Sequence, residues 1–195
     1  KEVEYVSFDV TNMLKPDKNV FGVILGNGFY NIPRERYFKL TNSFGVPKLK
    51  FSLKIEYTDG TTEWLVSDRS WKCIPSPITY SSIYGGEDYD GRLEQKGWME
   101  DAQFDDSQWE TPLIATVKDK QGFPLPYSID MKPQDGTALI EHSELSAVKC
   151  WKNAAGKWEY DFGQNCSGYV QYTIKSQKEG QIVIVTPSEL ILENG

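Results

Sequence analysis

Short apolar or alternating runs, each closed by a cluster of Gly, Asn, Asp or Pro, recur along this chain and constrain its fold more than any other feature. Residues 20–25 are continuously apolar and end in Gly26-Asn27-Gly28. Residues 49–57 alternate, with Leu49, Phe51, Leu53, Ile55 and Tyr57 on one face. Period two is the signature of a half-buried strand, since successive side chains leave opposite faces of the pleat. Thr58-Asp59-Gly60-Thr61 then reads as a hairpin turn into residues 63–66, because Asp-Gly tolerates positive φ. Residues 157–162, 168–174 and 181–185 repeat the pattern, with Gly180 as the turn before the last run.

Helical signals are few. Val10-Thr11-Asn12-Met13-Leu14 suits a single turn, capped by Asp9 or Thr11 and ended by Pro16. The helical content expected is under about a tenth, well below the globular norm. The fold class is therefore all-β, with antiparallel pairing.

Between residues 113 and 136 the periodicity fails, and Pro112, Pro124, Pro126 and Pro133 crowd together. Each proline restricts itself and the residue before it, so this stretch is expected to be an extended crossing between two β units. The boundary is placed near residue 130, giving domains 1–130 and 131–195. The second offers about four strands, half of a sandwich, and is expected to need covering by further chain.

Charge limits the partners. Twenty-one Lys and Arg stand against 28 Asp and Glu, for a formal net charge of −7. No basic cluster exists to neutralise phosphates, which excludes nucleic acid. No stretch approaches the roughly 18 apolar residues of a membrane-spanning helix, so no membrane insertion is expected. The three Cys, Cys73, Cys150 and Cys166, are widely separated and the chain has one His, which argues against a zinc site and a disulfide framework. That residue, His142, lacks a nucleophile or second ligand nearby and is assigned no role. Six Trp and eleven Tyr suit both sheet packing and ligand platforms.

Several strings, in order, resemble one family. Phe8-Asp9-Val10-Thr11 with Leu14, Asn19-Val20-Phe21-Gly22-Val23 and Gly26-Asn27-Gly28-Phe29-Tyr30 are similar to the N-terminal β-sandwich of bacterial α-L-rhamnosidases, where the last string usually carries Trp in place of Phe29. Ser67-Asp68-Arg69-Ser70-Trp71-Lys72, Ser76-Pro77-Ile78 and Ile83-Tyr84-Gly85-Gly86-Glu87-Asp88-Tyr89-Asp90 with Arg92 continue the likeness. Phe104-Asp105-Asp106-Ser107-Gln108-Trp109 resembles a string found in sugar-binding β-sandwiches of many glycosidases. There Asp106 or Ser107 is expected to cap a short turn, with Phe104 and Trp109 anchoring it and Trp98 as packing partner. Tyr160-Asp161-Phe162-Gly163-Gln164-Asn165, with Gly168, Gly180 and Ser188-Glu189-Leu190, is similar to the opening of the family's second, concanavalin-like β domain. Gln164 and Asn165 are expected to satisfy buried backbone.

The resemblance implies a jelly-roll, galactose-binding-like, carbohydrate-binding-like sandwich followed by the opening strands of a second sandwich. It implies a glycosidase of rhamnose-containing carbohydrate, secreted or periplasmic, whose hydrolytic acids sit in a C-terminal α/α barrel that nothing in this chain matches. No catalytic residue is therefore expected here. Adjacent carboxylates such as Glu87 and Asp88 face opposite ways on a strand, which is poor geometry for an acid–base pair. The resemblance also implies a sugar or calcium site on two glycine-flanked loops, at Asn27, Gly28, Phe29, Tyr84, Glu87 and Asp88, with Asn27, Glu87 and Asp88 as candidate calcium ligands. Two alternatives stay open: tight turns with a solvated acidic edge, or a stand-alone calcium-dependent carbohydrate-binding module.

Overall fold

The computed structural model describes residues 3–36, 43–116, 130–136, 140–175 and 178–191. The expected crossing lies mostly outside these residues. The strands are β1 (Val3–Tyr5), β2 (Ser52–Glu56), β3 (Thr62–Val66), β4 (Ile78–Ser82), β5 (Gly86–Tyr89), β6 (Met131–Pro133), β7 (Lys149–Lys152) and β8 (Trp158–Asp161). The helical elements among the described residues are two 3-10 turns, Thr11–Met13 and Gly91–Leu93. The architecture is all-β. Strands β2–β3, β4–β5 and β7–β8 pair antiparallel, while β1 and β6 pair parallel, a departure from uniform antiparallel order.

Two compact units divide after Gln134. From sequence the boundary was expected near residue 130. The structure keeps Met131–Pro133 in the first unit because they pair with Val3–Tyr5.

Two hairpins share one local construction. At β2–β3, Gly60 N–H donates to the Tyr57 carbonyl (3.0 Å) and Tyr57 N–H to the Thr61 carbonyl (2.9 Å). At β7–β8, Gly156 N–H donates to the Asn153 carbonyl (2.9 Å) and Asn153 N–H to the Lys157 carbonyl (2.9 Å). Each has a glycine in the left-handed region, Gly60 at φ 85° and Gly156 at φ 77°. That is a three-residue loop whose third residue relieves the strand twist. A side chain locks each turn. Asp59 Oδ1 accepts from Thr61 N–H (2.9 Å), and Asn153 Oδ1 accepts from both Ala155 and Lys157 N–H (3.0 Å each). The expected face of β2 is present, since Leu53 and Ile55 are half-buried between exposed Ser52, Lys54 and Glu56.

Residues 20–25, 168–174 and 181–185 form no strand, and of the described residues 3–10 only Val3–Tyr5 do so. Apolar run and turn chemistry favour extended chain, but a strand exists only where a second segment supplies a ladder.

Packing in the first unit centres on rings. Phe51 lies 5.8 Å from Phe21 and 5.1 Å from Trp71, and Trp109 lies 5.9 Å from Trp98 and 5.6 Å from Phe104. Gly22, next to Phe21, brings the groups together, because a Cβ there would fall 2.4 Å from Trp98 Cζ3. Trp98 is thus the expected partner of the Phe104–Trp109 string. The turn inside that string is held differently from expectation: Asp105 Oδ1, not Asp106 or Ser107, accepts from a backbone N–H, that of Ser107 (3.0 Å). The reason is register, since an Asx turn reaches two residues ahead and Asp105 is the acid so placed. At the first 3-10 turn Asp9 plays the same part, accepting from Thr11 N–H (2.9 Å).

In the second unit Gln164 and Asn165 are exposed and do not serve buried backbone. Asp161 Oδ1 takes the local role instead, accepting from Gly163 N–H (2.7 Å). His142 is exposed on irregular chain. Among the described residues no helix is long and apolar enough to cross a membrane.

Two glycine substitutions separate packing from conformation. Gly22→Ala, which drives a methyl into Trp98, is expected to destabilise by about 1–3 kcal/mol. Gly60→Ala meets nothing within 4 Å, so its cost of about 1–2 kcal/mol is the left-handed φ alone. Denaturant melts of both variants check this, and a neutral Gly22→Ala would refute the close approach to Trp98.

Candidate functional site

The first glycine-flanked loop is tied to the strand that leads into the second. Asn27 follows the 20–25 run, and its Nδ2 donates to the Ser81 carbonyl (2.8 Å) and to Ser81 Oγ (3.2 Å) on β4. Its Oδ1 accepts from Asn31 Nδ2 (2.8 Å), and Asn31 Oδ1 accepts in turn from Ser43 Oγ (2.7 Å). Asn31 N–H also donates to the Asn27 carbonyl (3.1 Å), closing a turn over residues 27–31. This is a side-chain relay from Ser43 to Ser81, part-buried at Asn27. Gly28, at φ 52°, sits inside the turn with nothing within 4 Å of a Cβ position, so it serves conformation and not packing.

On the partner segment, β4 and β5 pair with a bulge between Ile78 and Tyr80, after which Tyr80 opposes Asp88 and Ser81 opposes Glu87. Alternation sends Ser81 and Glu87 to one face and Tyr80 and Asp88 to the other. Arg36 closes the second face. Its Nη1 donates to Asp88 Oδ1 (2.8 Å), its Nη2 to Asp88 Oδ2, and its guanidinium carbon lies 4.1 Å from the Tyr80 ring centre. A bidentate fork and a cation over an aromatic face are both arginine geometries. Hydrogen bonding from Arg36 holds the Asp88 carboxyl below its ordinary range. Next along the chain, Arg92 lowers Asp90 to about 2.

The predicted site residues thus separate into three groups. Asn27 and Gly28 build the relay. Glu87 and Asp88 leave opposite faces of one hairpin. Phe29 and Tyr84, 57% and 49% exposed, present rings on the two segments that the relay joins. These residues do not fit a calcium ion as folded. Both Asp88 oxygens are held by Arg36, the Asn27 carbonyl oxygen is held by Asn31, and calcium wants six or more converging oxygens. Among the described residues no three His, Cys, Asp or Glu side chains gather as a metal cluster.

Sequence reasoning missed Asn31, Arg36, Tyr80 and Ser81. Asn31 left a faint signal, an amide one turn beyond Asn27. Arg36 left none, because its partner is 52 residues away.

A lowered carboxyl pKa contributes stability above its unfolded value and loses it as pH falls through the folded value. The Arg36–Asp88 contribution is therefore fully present at neutral pH, begins to fade as pH falls below about 3.8, the ordinary Asp value, and is lost as pH falls on through the lowered folded value. Thermal melts of the chain and of Asp88→Asn should differ at pH 7 and converge as pH drops through that range. A difference that persists unchanged into strong acid would show that Asp88 acts otherwise than as an ionised partner.

Against this geometry, comparison with known proteins is consistent. The sequence pattern of the α-L-rhamnosidase N-terminal domain matches residues 1–126. An α-L-rhamnosidase of Formosa agariphila is 35% identical over 199 aligned residues, covering 100% of this chain and 20% of that protein. One from Streptomyces avermitilis is 30% identical over 195 residues, again covering 100% of this chain but 18% of the relative. The solved α-L-rhamnosidase of Dictyoglumus thermophilum superposes with TM-score 0.51 at 38% identity, over 62% of this chain and 12% of that one. The chain spans about one-fifth of the length of the curated relatives it matches. With the family pattern over the first unit and similarity along its whole length, this chain belongs to the α-L-rhamnosidase N-terminal domain family.

Proposed function

We propose that this chain is a non-catalytic β region of an α-L-rhamnosidase. In this role it scaffolds a C-terminal α/α barrel of the same polypeptide that removes terminal L-rhamnose, and it contacts the carbohydrate through Phe29 and Tyr84. One observation carries the non-catalytic part: among the described residues, the carboxylates whose titration the fold alters, Asp9, Glu56, Asp59, Asp68, Asp88, Asp90 and Asp105, are shifted down. A glycosidase acid must hold its proton near neutral pH, which needs a shift upward. These groups are committed instead to backbone N–H groups, hydroxyls, Lys54, Arg36 and Arg92, which stabilise the charged form.

The sugar-contact part rests on the joint between the loops. Asn27 and Ser81 fix the bases of two segments whose tips carry exposed rings, and a pyranose presents C–H groups that stack on such rings. Phe29 offers area but no donor, where Trp would offer an indole N–H. Polymeric rhamnosides as substrate fit a secreted or periplasmic setting.

Calorimetric titration of the chain with L-rhamnose, with and without chelator, checks this role. The expected result is weak heat that chelation leaves unchanged and that Phe29→Ala weakens about tenfold. Heat abolished by chelator would favour the calcium-dependent module instead, and no heat at all would leave scaffolding alone. An aryl rhamnoside mixed with the chain should release no product above buffer. Release at an enzyme-like rate would overturn the non-catalytic assignment.

A further inference from the structure

Tyr80 is buried, at 8% exposure, yet its hydroxyl has no hydrogen-bond partner among the described residues. Buried hydroxyls are nearly always paired, so an orphan asks for an explanation. The groups around it are named by the hairpin. Arg36 covers the ring, and its charge is neutralised by Asp88. The phenol oxygen reaches the turn between β4 and β5, where a Cβ on Gly85 would fall 2.4 Å from it. The turn's own donors are spent elsewhere, for Tyr84 N–H and Gly85 N–H both donate to Ser82 Oγ, at 3.3 and 3.1 Å. Gly86 adopts φ 82°, a conformation that glycine enters and leaves at little cost.

We propose that the Tyr80 hydroxyl is a ligand contact sheltered by the Tyr84-Gly85-Gly86 turn, and that it pairs with a hydroxyl of a neutral sugar when the turn shifts. The inference rests on the sugar-contact role proposed above. A phenol both donates and accepts, which matches a sugar hydroxyl in either sense. Because Arg36 is already held by a carboxylate, the surroundings select against an anion as occupant and favour an uncharged polyhydroxylated ligand. Tyr84 rides on the same turn, so movement that uncovers Tyr80 also moves an exposed ring of the proposed contact surface.

The test is titration of the full 195-residue chain and of its Tyr80→Phe and Gly85→Ala variants with L-rhamnose, beside thermal melts without sugar. Tyr80→Phe keeps the ring under Arg36 and removes an unpaired hydroxyl, so its melting temperature should hold or rise slightly. Its affinity for L-rhamnose should fall about tenfold, the worth of one lost hydrogen bond. Gly85→Ala should lose binding as its methyl meets the phenol. Tyr80→Phe binding within about twofold of the parent chain would overturn the inference while leaving the sugar-contact role standing. A clear drop in its melting temperature would also overturn it, since the hydroxyl would then be paired inside the folded chain. No binding by the parent chain would remove the sugar-contact role and this subsite with it.

Discussion

The side-chain amide of Asn27 uses both of its functions inside the protein, and the geometry of the loops follows from that. Nδ2 donates to the carbonyl and hydroxyl of Ser81, while Oδ1 accepts from Asn31. A part-buried amide left half-paired would cost about 1–3 kcal/mol, so the turn over residues 27–31 and the strand β4 hold each other in place. Arg36 adds a second tie to the opposite face of the same hairpin. Between them the hairpin is gripped on both faces by one upstream segment, residues 27–36.

That grip explains why Asp88 is structural. Asp88 and Asp90 each lie against an arginine and stay ionised, which suits a fixed frame and disables proton donation. The same commitment removes Asp88 from any cation site. The two segments also carry the exposed rings of Phe29 and Tyr84, while the buried Tyr80 hydroxyl has no hydrogen-bond partner among the described residues.

The ring contacts distribute the remaining stability. Phe51 between Phe21 and Trp71, and Trp109 between Trp98 and Phe104, bury apolar area where strands are short. Gly22 permits the approach of Trp98 to the first of these groups. A glycine beside Phe21 in an apolar run thus has a steric reason, and loss of that space is costlier than loss of a surface contact.

Local chemistry was legible in the chain from the start. Asp59-Gly60 announced its turn because the residues that make it lie within five positions of one another, and the alternation of residues 49–57 announced the buried face of β2. The all-β class and the family followed from many such short signals in order. The turn inside Phe104–Trp109 was legible in kind but not in detail, since Asp105 and Asp106 differ by one position in reach. Where strands formed was not legible: residues 20–25, 168–174 and 181–185 have strand-like sequences, yet pairing depends on a second segment. Nor were the contacts that define the site, because Asn27 meets Ser81 across 54 residues and Arg36 meets Asp88 across 52. The sequence by itself determined the turns, the β class and the family, all of which depend on neighbours along the chain. Tertiary structure alone decided that Asn27 is a joint, that Asp88 is a clamp and that Tyr80 is left unpaired, because hydrogen-bond partners are chosen by proximity in space.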